Sequence, residues 1–238
     1  MDLQPDEWMG NILGSTAYHL KLQKGPYSSN DSVLAPLSNP GVFAFSKVPV
    51  MDLDQAAFLE SLGFHLVDTN VLLQREIRAV EAPSDPLLDY DFASTEDDQG
   101  ATALASNGFI YTRFHQDSQI DNAIADQIKG AWVHNFFLGK RGQHMVVAKD
   151  GQKVVGFLQL LQKEGQLIID LIATHPDYRK RGIANNMITF AEAHCKGASE
   201  YLVGTQIANI PSIRLYQKMG FSLTEAKYVF HYHSQAKR

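Results

Sequence analysis

Apolar and polar positions divide this chain into short alternating stretches and a few with helical spacing. Residues 42–48 read as a strand, Asp52 or Asp54 reads as an N-cap, residues 55–62 form a short helix stopped by Gly63, and 65–75 are the next strand. Ahead of them, Gly14, Gly25, Pro26, Pro36 and Pro40 break residues 1–40 into short pieces, and only 16–22 has the pattern of a strand. Further on, 88–93 reads as a strand and Thr95, followed by acidic residues, starts a helix. Residues 121–138 repeat apolar positions at Ile124, Ile128, Ala131 and Trp132, with Asn135 on the same face. Residues 144–148 and 153–161, joined through Lys149, Asp150 and Gly151, have the Asp-Gly signal of a β-hairpin. An apolar strand from Gln166 then breaks at His175, Pro176 and Asp177, and helical spacing resumes at Ile183, Met187, Ile188 and Ala191. A strand at 201–205, a helix at 210–219 stopped by Gly220, and a strand at 221–233 complete the series.

Two prolines among small and acidic residues at 79–88 have the composition of a linker. The expected division is 1–80, a linker at 81–87, and 88–238. Aligning Gly63-Phe64 with Gly220-Phe221 brings the flanking helices and strands of the two parts into register as an internal repeat. Residues 1–80 then read as a truncated copy of the second part.

Composition narrows the function classes. Apolar residues are 45% and charged residues 20% of 238, as in soluble globular proteins. A net charge of −5 argues against general nucleic-acid binding, although basic groups gather at Lys140, Arg141 and at 179–181. No apolar run reaches the roughly 20 residues of a membrane span, and the N-terminus lacks the pattern of a signal peptide, so a cytoplasmic protein without a membrane partner is expected. The single cysteine, Cys195, excludes an internal disulfide and reads as a packed helix residue. His231 and His233 share a strand face without a neighbouring carboxylate pair in sequence, so no metal is expected.

The strand, turn and helix at 166–194 carry the candidate chemistry. Arg179, Lys180, Arg181 and Gly182 place cations and a glycine at a helix N-terminus, whose unpaired N–H groups favour phosphate. Arg179-x-x-Gly182-x-Ala184 after a strand resembles the pyrophosphate-binding signature of the GNAT acetyltransferases. Asn209, Ser212, Tyr216, Gly220 and Phe221 resemble, at matching spacing, that family's downstream segment. The resemblance covers 88–238 and implies an α/β (α+β) fold: the GNAT fold, a mixed, mostly antiparallel central sheet flanked by helices, with an N-terminal truncated GNAT-like half.

It also implies acetyl-CoA as co-substrate. Leu171, Ile172 and Ala173 would pair with the pantetheine arm, and the backbone from Arg181 through Gly182 and Ile183 to Ala184 would cradle the pyrophosphate, with charge from Arg179 or Lys180. Asn209 would hold the arm, and Tyr216 would protonate the leaving thiolate. Asn209 and Tyr216 lie seven residues apart, two turns along one helix face. The first part has no Arg-x-x-Gly-x-Ala turn and so should hold no cofactor, and the repeat puts Leu59 at the position of Tyr216, so it should lack the acid too.

For the acceptor amine, Asp170 stands where some family members carry a carboxylate base, with His115 and Asp117 as alternatives in a loop that borders the acceptor in the family. Arg113 in that loop, residues 59–67, and Thr205-Gln206 resemble the dTDP-fucosamine acetyltransferases. This implies a nucleotide-linked amino sugar as the small-molecule partner, with Arg113 on its diphosphate. A peptide or lysine amine as acceptor, and an acyl-CoA-sensing module without transfer, are the alternatives; a homodimer is compatible with each.

Overall fold

The computed structural model describes residues 1–234. In chain order its elements are β1 (Asp2–Pro5), α1 (Glu7–Leu13), β2 (Thr16–Lys21), β3 (Val42–Pro49), α2 (Leu53–Ser61), β4 (His65–Glu76), β5 (Asp89–Phe92), α3 (Asp98–Gly108), α4 (Asn122–Phe137), β6 (His144–Asp150), β7 (Lys153–Lys163), β8 (Gln166–Thr174), α5 (Ile183–His194), β9 (Glu200–Gln206), α6 (Ile210–Lys218) and β10 (Ser222–His233). The strands form one sheet in the order β1-β2-β3-β10-β4-β9-β8-β7-β6-β5. Pairing is antiparallel except between β2 and β3 and between β8 and β9. This is the mixed, mostly antiparallel sheet of the GNAT fold. Helices α5, α6 and α2 pack on one face, and α3, α4 and α1 on the other.

Two elements escape the pattern reading. In α1, Asp6 accepts the Met9 N–H at 3.0 Å and Gly14 closes the helix in the left-handed region, so caps define a helix too short for periodicity to reveal. The strand β1 pairs with β2 although Pro5 ends it, because it lies at the sheet edge where a missing N–H is tolerated.

The buried stripe of α4 is also displaced from the expected one. It runs through Ala125, Ile128, Lys129, Gly130 and Val133, while Trp132 is half-buried and stacks on Trp8 of α1. At Gly130 the two helices meet so closely that an added Cβ would stand 2.2 Å from Ser106 Oγ of α3.

The expected boundary at 81–87 falls in the segment joining β4, in the middle of the sheet, to β5 at its edge, and the sheet itself runs unbroken through both parts. The repeat is written into its register. Counterparts lie 157 positions apart, from Gly63 to Gly220. α2 (Leu53–Ser61) matches α6 (Ile210–Lys218), and the cap Asp52 matches Asn209. Gly63 at φ 88° matches Gly220 at φ 86°, and β4 (His65–Glu76) matches β10 (Ser222–His233). Asn70 pairs with its own counterpart Lys227, and Val48 faces Tyr228 as Thr205 faces Val71. A local two-fold axis therefore passes through the sheet between Asn70 and Lys227, and each part contributes its last strand to the middle of the sheet.

Candidate active site

On the cofactor side the decisive feature is where two strands part. β8 and β9 pair only from Gln166 with Glu200 to Ile169 with Val203, yet β8 continues to Thr174 and β9 to Gln206. Asp170 marks the parting: Gln159 pairs with Leu171 and Leu160 with Ile169, so Asp170 is the extra residue of a β-bulge. From there Leu171, Ile172 and Ala173 remain bonded to β7 on one side and have no strand on the other. An extended amide chain fits such an open edge by adding a strand.

The mouth of this gap is the turn at 175–182. Pro176 opens a short 3-10 turn, Lys180 stands at φ 64° and Gly182 at φ 82°, and α5 starts without a side-chain cap. The first intrahelical bond is from Asn186 N–H to Gly182, which leaves the N–H groups of Ile183, Ala184 and Asn185 without helical partners. Arg179, Lys180 and Arg181 are exposed around them. Arg179 lies back along β8 with Nε 3.3 Å from the Thr174 carbonyl, and Arg181 donates to the Asp177 carbonyl while lying over Tyr178. Lys180 makes no hydrogen bond or ion pair among the described residues. Orphan donors, a left-handed glycine and surplus cations suit a pyrophosphate.

Asn209 caps α6, its Oδ1 accepting from Ser212 N–H at 3.3 Å and its Nδ2 donating to Thr205 Oγ1 at the end of β9. Tyr216 is 2% exposed and packs against Phe221. Burial alone pushes its phenol well above the usual range, and its hydroxyl makes no hydrogen bond among the described residues. A phenol so placed stays protonated, as a proton donor requires. Leu59, its counterpart in the repeat, is fully buried in the cluster beneath α2.

The acceptor-side residues named from sequence are each engaged by partners from distant elements. Asp170 is held by Arg141, which donates from Nε at 2.6 Å and from a terminal amino group at 2.7 Å, and by Gln159 Nε2 at 3.1 Å. A carboxylate clamped in this way is poorly disposed to act as a base. His115 sits between Thr112 Oγ1 at 2.6 Å and Asp126 at 3.1 Å, 11 residues on. Asp117 is the centre of a buried network. Its Oδ2 lies 2.7 Å from His231 Nδ1 and 2.8 Å from His233 Nε2, and its Oδ1 accepts the Gln119 N–H at 3.0 Å and lies 3.5 Å from His65 Nε2. Burial alone would raise this carboxyl, but the hydrogen bonds from His231, His233 and Gln119 outweigh it and hold it well below the usual range. The carboxylate missing beside the histidine pair in sequence is thus supplied by the loop. His65, Asp117 and His233 bring ligand-type atoms within 4.8 Å of one another, with both Asp117 oxygens already accepting hydrogen bonds.

Arg113 lies 3.9 Å over Phe45 and 4.4 Å over Phe114, with a terminal amino group 3.3 Å from His231 Nε2. Arginine only donates, so His231 Nε2 accepts and its proton sits on Nδ1, toward Asp117. Burial brings Arg113 down to about 10 and His231 to about 3, so the histidine is neutral and the arginine still a cation.

Pattern reading did not single out Asp68, Lys47 or Lys129, and marked Arg141 only as part of a basic cluster. Across β3, β10 and β4 the register sets Lys47, Val229 and Asp68 in one row, beside the row of Pro49, Lys227, Asn70 and Gln206. Asp68 is 9% exposed, its Oδ2 is buried without a hydrogen-bond partner, and burial raises it to about 6 against the pull of the Thr69 backbone N–H, Lys47 and Arg113. Lys129 of α4 lies 4.0 Å over Trp132, and burial lowers it to about 7. The signal for Asp68 was a polar alternation of Asp68 and Asn70 in an apolar strand; its depth depends on pairing with β10.

Residues 110–221 match the model of the Acetyltransferase (GNAT) family. Over 191 residues the chain is 25% identical to the spore coat polysaccharide biosynthesis protein SpsD of Bacillus subtilis, an alignment covering 79% of this chain and 66% of that protein's length. Among solved structures, a tandem GNAT protein from the clavulanic acid biosynthesis pathway superposes with a TM-score of 0.62 at 12% identity, covering 94% of this chain and 77% of its own. The glucosamine N-acetyltransferase region of a fungal multi-domain β-N-acetylglucosaminidase gives 0.65 at 14% identity, covering 92% of this chain and 30% of that one. At these identities the two structures bear on the fold alone.

Proposed function

We propose that this chain, whose residues 110–221 match the Acetyltransferase (GNAT) family, transfers the acetyl group of acetyl-CoA to a primary amine by direct attack of the amine on the thioester. The observation that carries this reading is the parting of β8 from β9 at Asp170, with the orphan N–H groups of α5 at its mouth. Leu171 to Ala173 offer the open edge to the pantetheine amides. The backbone from Arg181 to Ala184, with Lys180, holds the pyrophosphate, and Asn209 steadies the arm from the opposite side of the gap. Tyr216 gives its proton to the departing thiolate.

The acceptor we favour is an amino sugar linked to a nucleotide. Three features support it: the likeness to a polysaccharide-biosynthesis protein, the cations Lys47, Arg113, Lys129 and Arg141 gathered on the α4 side of the sheet, and a lining rich in hydrogen-bonding groups. In this reading residues 1–80 build the wall of the acceptor site and hold no cofactor, since their repeat lacks both the Arg-x-x-Gly-x-Ala turn and the tyrosine. No helix among the described residues is long and apolar enough to cross a membrane.

The test is thiol release from acetyl-CoA by the purified chain, with dTDP-4-amino-4,6-dideoxygalactose, glucosamine and a lysine peptide as acceptors. Acetylation of the nucleotide sugar in preference to the peptide is expected. Calorimetric binding of acetyl-CoA with no transfer to any of the three would replace the enzyme by an acyl-CoA-sensing module.

A further inference from the structure

We propose that Asp68, contributed by the N-terminal part of the chain, is the residue that receives the acceptor amine, hydrogen-bonding it through Oδ2 and taking its proton. The inference rests on the acetyltransferase reading and adds the base which that reading lacks.

Three observations place Asp68 there. Its Oδ2 is a buried acceptor with no partner, and a buried oxygen left unpaired costs free energy that a ligand donor would recover. Its position is next to the gap: two residues along β4, Asn70 pairs with Gln206, the last residue of β9, at the level where β8 has already separated. The other carboxylates on this side are spoken for. Asp170 is clamped by Arg141, and Asp117 by His231, His233 and Gln119, whereas Asp68 makes no ion pair among the described residues. A second buried acceptor without a partner, Gln159 Oε1, lies on β7 beside Asp170.

The charged groups around Asp68 are cations, which favour its ionised form against the effect of burial. Lys47 on β3, Lys227 on β10 and Arg113 in the α3–α4 loop face this region; Lys227 is paired with Glu225, and Arg113 is stacked between Phe45 and Phe114. His231 of β10 is buried and neutral. In the step, the Asp68 carboxylate takes one proton from the ammonium. The freed nitrogen lone pair forms the C–N bond as the C–S bond breaks, Tyr216 protonates the thiolate, the second nitrogen proton leaves to water, and the proton held by Asp68 returns through water to the Tyr216 phenolate. The sum is ammonium plus thioester giving amide, thiol and one proton.

The experiment uses the full chain with dTDP-4-amino-4,6-dideoxygalactose as acceptor. For Asp68→Asn, kcat/KM at pH 7 is expected to fall about 100-fold, and acetyl-CoA affinity by calorimetry to stay within about twofold, since Asp68 lies off the cofactor strand. The defect should shrink toward pH 9.5, where the amine loses its proton unaided. A role only in packing would give the same defect at every pH, and that result, or a loss below about threefold, would overturn the assignment. The wild-type chain gives a second test that needs no variant to fold. With a base of its own, its kcat/KM is flat between pH 6.5 and 7.5 and breaks downward near 6, whereas a steady tenfold rise per pH unit up to the pKa of the amine removes the base. Wild-type chain that binds acetyl-CoA but acetylates no amine overturns the acetyltransferase reading, and this assignment with it; transfer at equal rates by both proteins overturns Asp68 alone.

Discussion

Glu192 of α5 receives the Arg75 guanidinium of β4 on both carboxylate oxygens at 2.6 Å, and it accepts the Arg78 N–H as well. Both side chains are almost wholly buried, and the guanidinium lies 5.0 Å over Phe221 and 5.2 Å over Tyr201. The pair ties the last strand of the N-terminal part to α5, whose first turn is the proposed phosphate site. Removing one partner strands a buried charge, at about 3–5 kcal/mol. Glu192→Leu should therefore lower the melting temperature by about 6–20 °C for a chain of this size. The double variant Arg75→Leu with Glu192→Leu should recover most of that loss, as calorimetry can check. A double variant as unstable as the single one would show that the surrounding hydrogen bonds, and not the charge, hold the joint.

Gly182 stands at φ 82° with nothing within 4 Å of where a Cβ would be. Gly182→Ala should cost about 1–3 kcal/mol of stability through the left-handed backbone alone, because no neighbour obstructs the methyl group. Acetyl-CoA affinity should fall further than stability does, by about tenfold or more, equivalent to at least 1.4 kcal/mol, since the methyl group would stand where the pyrophosphate approaches. Titration calorimetry at two salt concentrations checks this. Unchanged affinity in Gly182→Ala would move the pyrophosphate away from this turn.

Tyr216→Phe separates chemistry from packing. The residue is 2% exposed and its hydroxyl makes no hydrogen bond among the described residues, so its removal should leave the melting temperature unchanged or slightly higher. If the phenol protonates the thiolate, kcat should drop about 100-fold while acetyl-CoA binds as before. Turnover equal to wild type would pass the proton-donor role to water.

What the sequence made legible was local or repeated. The turn at 179–184, the cap and tyrosine of α6, and the Asp-Gly hairpin each depend on residues within a dozen positions, where backbone geometry and side-chain chemistry constrain one another directly. The repeat was legible because Gly63 and Gly220 both need a left-handed backbone after a helix, and once they were aligned α2 fell on α6 and β4 on β10. The acceptor wall was not. Asp117 meets His231 across 114 residues and Arg141 meets Asp170 across 29, and these meetings depend on strand order and register, which no local pattern encodes. Insertion of β10 between β3 and β4 is the same kind of fact. A linker composition at 79–88 gives no hint that the strands on either side belong to one sheet.

Asp68 should make the protein less stable at the pH where it works. Its carboxyl titrates near 3.8 when exposed and is raised to about 6 in the fold by burial. A raised carboxyl binds more protons in the folded state than in the unfolded one between these limits, so stability falls as pH rises through that window. Below about pH 4 both states are protonated and the group costs nothing; above about 6 the whole penalty is present, on the order of 3 kcal/mol from a shift of about two pKa units. Asp68→Asn keeps the shape and removes the charge. Urea denaturation should therefore find the variant about 1–3 kcal/mol more stable than wild type at pH 7.5 and equal to it at pH 4. A variant less stable at both values would mean that Asp68 is held by interactions in the fold. A variant more stable only at the higher pH would mark a charge the fold keeps at a cost, which is what a site awaiting a cationic substrate requires.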